Sequence, residues 1–391
     1  MNLIFFDGNL RNHLLPFSYT RPLAHMRIGI LTIAEKWEKH LETKASYYVP
    51  NYLAAKYSLK ITDDNILVNG ALCPNMRLLS KIVELKRGQG LYQGEVLLAA
   101  RLNGEDAIEY DKHTFQKIEF TTDLTLIDRP WKLFANNANE LERDYELLTA
   151  GRQSAPLSST NTLIGNRIFL EKGAVAEAAV FNTTTGPIYL AADSEVMEGS
   201  LVRGGLALGE HSALKLGTKI YGAVTIGPHC KVGGEVNNSV IFGYSNKGHD
   251  GFLGNSVLGE WCNIGADSNN SNLKNNYDEV RLWSYVSGGF ERTGLQFCGL
   301  MMGDHSKCGI NTMFNTGTVI GVSTNIFGSG FPRNFVPSFA WGGAQGFTEY
   351  KLNKALDTAR RVMARRGIDL NEIEEAILAE VYKQSKQHRN F

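Results

Sequence analysis

An aliphatic residue returns at every sixth position from Leu190 to Val232, through Val196, Val202, Leu208, Leu214, Ile220 and Ile226. The spacing resumes at Phe252, Leu258 and Ile264, and again at Met302, Cys308, Phe314, Ile320 and Ile326. A helix repeats its apolar face every 3.6 residues and a strand every 2, so neither generates this period. A coil of three short faces does, with one aliphatic side chain per face turned inward. Glycine often follows the inward residue, as at Gly209, Gly227, Gly265 and Gly309. The expected reason is a corner turned at φ > 0. The pattern predicts a parallel β-helix of hexapeptide repeats over residues 160–330.

Residues 1–150 follow other periods. Leu3 to Phe6 is a short buried-strand run ending in Asp7-Gly8, and Ile30, Ile33, Trp37 and Leu41 recur at helical spacing. Further strand-like runs at Ser46–Val49, Ile66–Val68 and Glu95–Ala100, with a helix through Leu141, Tyr145 and Leu148, predict an α/β domain with a largely parallel sheet. Ligands of such sheets sit beyond the carboxyl ends of the strands, which points to the Asp7-Gly8 and Asn69-Gly70 turns. The small polar run Thr149–Thr160 reads as a linker. Between Ile264 and Met302 the period is lost in an Asn-rich and then aromatic segment. Residues 331–391 read as an irregular aromatic loop and two amphipathic helices, with Leu352, Leu356, Ala359 and Met363 on one apolar face and Ile373, Ile377 and Val381 on the other.

Forty Lys+Arg balance forty Asp+Glu in 391 residues, which argues against nucleic acid polymers as partners. Five scattered cysteines without a CxxC pair, together with an N-terminus lacking a signal peptide and no long apolar run, predict a cytoplasmic chain with no membrane span. His211, His229 and His305 each stand three residues past an inward aliphatic and read as exposed-face residues. The chain has no HxxxxH pair of the kind used by zinc-binding hexapeptide coils, so no metal ligand set is assigned.

The hexads, together with GHDGFLGNSVLGEWCNIGA, resemble the acetyltransferase half of the bifunctional bacterial glucosamine-1-phosphate N-acetyltransferase/N-acetylglucosamine-1-phosphate uridylyltransferase family, in a shortened Bacteroidetes-type form. The resemblance implies a left-handed β-helix, a homotrimer, and acetyl-CoA bound between neighbouring coils. It makes His249 the base, Asn263, Asn272 and Lys274 contacts to the sugar phosphate, and Ala266, Lys307 and Arg333 contacts to the coenzyme. The chemistry agrees, because an amine attacking a thioester must be neutral and histidine takes a proton near neutral pH without a large shift. The Gly265-Ala266 backbone is a candidate donor to the oxyanion. Phe252 replaces a family tyrosine, with Tyr244 and Tyr277 as candidate substitutes.

At the other end FFDGNLRNHLLPFSYTRPL resembles the nucleotide loop of the same family, which makes Asp7, Gly8, Arg11 and Arg21 the nucleotide-binding residues. The family uses Mg²⁺ there, held by an Asp in a Gly-Asp pair. Here Ala71 follows Gly70, and a methyl cannot hold the ion. Three readings follow: a sugar-phosphate N-acetyltransferase with a sugar-1-phosphate nucleotidyltransferase domain making UDP-N-acetylglucosamine or a related nucleotide sugar, a nucleotidyltransferase with a structural or regulatory β-helix, and a non-catalytic sugar-nucleotide sensor. A base at His249 is needed only by the first.

Overall fold

Six strands form the sheet of the first unit: β1 (Asn2–Phe6), β2 (Ala45–Tyr48), β3 (Asn65–Asn69), β4 (Gln89–Gln93), β5 (Val96–Leu102) and β6 (Gln116–Glu119). The computed structural model describes residues 2–391. Within them this unit takes residues 2–14, Thr20–Met26 and Leu31–Arg129, and the second takes Leu15–Tyr19, Arg27–Ile30 and Pro130–Phe391. The order is β2-β1-β3-β5-β4-β6. Leu3, Ile4 and Phe5 are fully buried, which is why β1 reads as an unbroken apolar run. Thr32 and Glu35 form a capping box that starts the helix Ile33–Leu41, and Trp37 on that helix donates to Leu72 O at 2.7 Å. The sheet is mixed where alternation predicted a largely parallel one. β1 pairs in parallel with β2 and β3, but β5 runs antiparallel to both β3 and β4. The turn between β4 and β5, through Gly94 at φ 57°, is too short for a crossover helix.

The second unit is the coil. Its second face is a nine-stranded parallel sheet, its first face a six-stranded one, and its third face is shared between a five-stranded and a four-stranded sheet. Leu190, Leu208, Ile226, Leu258, Met302 and Ile320 lie buried down the second face, and Val196, Leu214, Val232, Ile264, Cys308 and Ile326 down the third. The register slips after Val232. Val236 follows by four residues and Ile241 by five more, so Leu253 pairs with Val236 and faces inward. Phe252, expected inward, pairs with Glu235 and faces out.

The glycines serve a purpose other than the expected one. Gly209, Gly227, Gly265 and Gly309 are absent from the φ > 0 positions, which fall two residues later on His211, His229, Asp267 and Asn311. What excludes a side chain is the neighbouring coil: a Cβ on Gly227 would lie 1.6 Å from Phe242 O, and one on Gly265 2.3 Å from Gly309 O. At the corner after the second face, His211, His229, Tyr244, Trp261 and His305 all adopt φ between 51° and 62°. Their rings stack in sequence, with centroids 5.0, 4.9, 4.3 and 6.2 Å apart.

The run read as a linker is pinned instead to the first coil. Ala155 N–H donates to Leu170 O at 2.9 Å, Ser154 Oγ accepts from Leu170 N–H at 2.9 Å, and Ala155 and Leu157 pack on the core. The helix Asn137–Thr149 belongs to this unit too, since Asn137 Nδ2 donates to Ala223 O at 3.0 Å and its Oδ1 accepts from Thr225 Oγ1 at 3.0 Å. The aperiodic segment contains an antiparallel hairpin, Arg281–Ser284 with Gly289–Arg292, whose Trp283 stacks on Phe335 at 4.2 Å. Helices Leu352–Ala364 and Glu372–Gln384 close the chain. Ala355, Ala359 and Met363 are buried on one, and Ile377, Leu378 and Val381 on the other, whereas Ile373 is exposed.

Candidate active site

In the first unit, β1 and β3 end side by side, with Gly70 N–H donating to Phe6 O at 2.8 Å. Asp7 follows β1 directly. Its carboxylate accepts from Arg11 Nη1 at 2.5 Å and from Leu23 N–H at 2.9 Å, and the residue is only 4% exposed. Burial pushes the Asp7 carboxyl up from its ordinary range, against the opposite pull of Arg11 and the Leu23 N–H. Arg11 also donates to Arg21 O at 3.1 Å and to Tyr52 Oη at 2.9 Å. Arg21 is itself buried, while Gly8, at φ 52°, is exposed. Asp7, Arg11 and the Arg21 backbone are thus brought together, with the Asp7 carboxylate and the Arg11 guanidinium already paired to each other. Ala71 is fully buried, its N–H donating to Asn69 Oδ1 at 3.0 Å. A methyl on one strand end and a carboxylate already paired with a guanidinium on the other do not fit a Mg²⁺ ion.

In the second unit the corner after the third face carries the sequence-derived residues. Asn246 bridges to Asn263 and Asn263 to Lys307, so these three stand in one column on successive coils. Three residues further on in each coil come His249, Ala266 and Ile310, one above another, with Asp267 N–H donating to Asp250 O at 3.0 Å and Asn311 N–H to Ala266 O at 2.8 Å. His249 and Asn263 are exposed and Ala266 half-buried. Glycines keep the corner open, since a Cβ on Gly248 would meet nothing within 4 Å. The Gly265 N–H does not serve as an oxyanion donor, because it donates to Cys308 O at 3.2 Å.

Of the other candidates, Lys307 stands on the column just described, and Asn272, Lys274 and Arg333 lie elsewhere. Asn272 is at the far end of the first face, donating to Asn255 Oδ1 at 2.8 Å in a groove of about 430 Å³ that Tyr221, Asn238, Phe252 and Phe297 also line. Lys274 donates to Glu279 O at 2.7 Å inside the aperiodic segment. Lys307 Nζ donates to His305 O at 2.8 Å, and burial holds its ammonium down to about 8. Arg333 is exposed in the loop beyond the last hexads. Tyr244 is held in the ring stack at the opposite corner, and Tyr277 is exposed.

Sequence reasoning missed Lys247. It pairs with Val232 on the third face and points into the core, where the other coils carry Val196, Leu214, Ile264 or Cys308. Its Nζ donates to Gly233 O and His249 O, each at 2.9 Å. Burial pushes this ammonium down to about 8, against the pull of Asp250 and Asp267. The signal was a lysine six residues after Ile241 and six before Leu253, hidden by the register slip. Among the described residues no three His, Cys, Asp or Glu side chains converge as metal ligands, and no helix is long and apolar enough to cross a membrane.

Residues 3–153 match the sugar nucleotidyl transferase family. Bifunctional protein GlmU of Picosynechococcus sp. is 30% identical over 137 residues, 34% of this chain and 27% of that protein. Bifunctional protein GlmU of Synechococcus elongatus is 27% identical over 188 residues, 46% of this chain and 34% of that protein. The chain therefore matches about a third or less of these relatives' length. Among solved structures, an Arabidopsis UDP-N-acetylglucosamine acyltransferase aligns over 60% of this chain and 85% of its own, at 13% identity and a TM-score of 0.19.

Proposed function

We propose that this chain, related over part of its length to bifunctional GlmU proteins and carrying a sugar nucleotidyl transferase family match at residues 3–153, transfers the acetyl group of acetyl-CoA to the amine of glucosamine-1-phosphate at the His249 corner. The observation that carries the reading is an exposed imidazole on a corner thinned by Gly248 and Gly251, directly above the Ala266 corner of the next coil. The imidazole removes a proton as the amine attacks the thioester carbon, and returns it to the departing thiolate. Asn263, beside this corner, supplies a hydrogen-bonding group to the sugar, and Lys307 and Arg333 supply positive charge for coenzyme phosphates. Lys307 must turn away from His305 O to do so.

The family match favours a second activity, sugar-1-phosphate nucleotidyl transfer by the first unit, with Asp7, Gly8, Arg11 and Arg21 at the nucleotide. Opening of the Asp7–Arg11 pair has to precede that binding. Its product is UDP-N-acetylglucosamine or a related nucleotide sugar, made in the cytoplasm. Active protein is a homotrimer, with acetyl-CoA between coils of adjacent copies.

One assay with glucosamine-1-phosphate, acetyl-CoA and UTP, following thiol and pyrophosphate separately, tests both activities. His249→Ala is expected to lower thiol release roughly 10²–10⁴-fold while leaving acetyl-CoA affinity unchanged. Near-normal turnover in folded His249→Ala protein would remove the base.

A further inference from the structure

Three of the corners between the third and first faces share one internal device. The carbonyl just after the inward residue of the third face turns toward the core and accepts a hydroxyl: Ser200 Oγ donates to Met197 O at 2.8 Å, Thr218 Oγ1 to Lys215 O at 2.6 Å, and Thr312 Oγ1 to Gly309 O at 2.9 Å. Such a carbonyl left without a donor in the core carries a desolvation penalty. On the two coils around His249 the residue that would bring the hydroxyl is Gly234 or Gly251. Neither tolerates a side chain. Gly234 has φ 71°, and its Cβ would lie 2.9 Å from His249 O. Gly251 has φ 115°, and its Cβ would lie 2.1 Å from Ser268 O. For Gly233 O, the carbonyl just after Val232, the missing donor is the Lys247 ammonium of the next coil, which also donates to His249 O, one residue beyond the corresponding carbonyl of its own coil.

We infer that Lys247 is a positioning residue for acetyl transfer: by holding Gly233 O and His249 O it fixes the glycine-rich corner that presents the His249 imidazole. The inference rests on His249 being the base. An apolar side chain would fill the same space, as Ile264 does one coil on, so packing alone does not call for a lysine here. Four glycines at residues 233, 234, 248 and 251 give the two corners unusual freedom, and one buried cation ties both.

The test uses the full-length chain with Lys247→Met, and Lys247→Ile as the second apolar variant should the first fail to fold. Hydrogen exchange reads the corner without reference to activity, through the amides of Glu235 and Asp267, which donate to Gly251 O at 3.2 Å and Asp250 O at 3.0 Å. Faster exchange at these two amides, with that of Leu201 unchanged, is expected. Acetyl transfer should lose roughly 10- to 100-fold in kcat with little change in KM, as for a displaced catalytic group. Val196→Ala, an inward change in the same column, should lower thermal stability and leave kcat alone. Wild-type exchange in the Lys247 variant, or faster exchange with wild-type kcat, would overturn the inference. If His249→Ala turns over normally, the base reading fails instead, and the exchange data alone decide whether Lys247 holds the corner.

Discussion

Two buried ion sites behave differently because one has a counter-charge in contact and the other has only carbonyls. Asp7 meets the Arg11 guanidinium at 2.5 Å with both side chains largely out of solvent. Removing one partner of a buried pair leaves a charge in low dielectric, so Arg11→Ala is expected to cost about 3–5 kcal/mol in urea unfolding. A loss below about 1 kcal/mol would show instead that the pair is solvated and ready to receive phosphate. Lys247 carries the opposite signature. Its folded-state pKa of about 8 lies below that of an ordinary lysine, so between about pH 8 and the ordinary lysine range the unfolded chain holds a proton that the folded chain lacks. The difference in unfolding free energy between wild type and Lys247→Met should therefore move in favour of wild type as pH rises through that window. A flat difference from pH 7 to 10 would refute the shift. Neither environment was legible in the sequence: Asp7 and Arg11 could be named, but their mutual closure depends on how the turns fold back. Lys247 faces the core only because two corners before it are short.

The hexad period exposed the coil because each inward side chain has one job and repeats it. Leu214, fully buried, is such a residue, and Leu214→Ala should cost about 2–5 kcal/mol, whereas Met76→Ala, outside the coil and 73% exposed, should change stability by less than about 0.5 kcal/mol. Thermal melts of the two variants check this. The glycines were legible as a pattern but not as a cause. Their sequence position suggested φ > 0, yet the constraint is the approach of the next coil's backbone, which no single-coil reasoning contains. Gly227→Ala should accordingly destabilise the coil by several kcal/mol, the added methyl having to displace the Phe242 carbonyl, an effect of backbone contact that the φ argument does not predict. The mixed sheet of the first unit escaped for a related reason, since strand signals do not carry direction and the β4–β5 turn decides it.

The assembly proposed above has a matching surface. Leu216 and Ile310 occupy the same corner position as His249, two coils before it and two coils after it, at 68% and 69% exposure. Leu201, at 50%, lies on the adjoining first face. Apolar side chains this exposed, in line with a proposed catalytic histidine, suit burial against a second copy. Replacing Leu216 and Ile310 together by Asp should shift sedimentation from trimer to monomer and abolish acetyl transfer while the coil stays folded. Wild-type protein sedimenting as a monomer at micromolar concentration would end the shared-site reading.

The hairpin Arg281–Arg292 has a consequence for the history of such a chain. It leaves the coil after Asn270, and by Leu300 the winding has resumed in register, Met301 opposite Val257 and Met302 opposite Leu258. A corner is thus a place where new sequence enters without rewriting anything upstream or downstream. Lineages of this architecture can acquire loops at corners as freely as they gain or lose whole storeys of about eighteen residues. The same property offers the bench a site for a tag or a reporter at the hairpin tip around Val286 and Ser287, with the coil on either side left to wind as before.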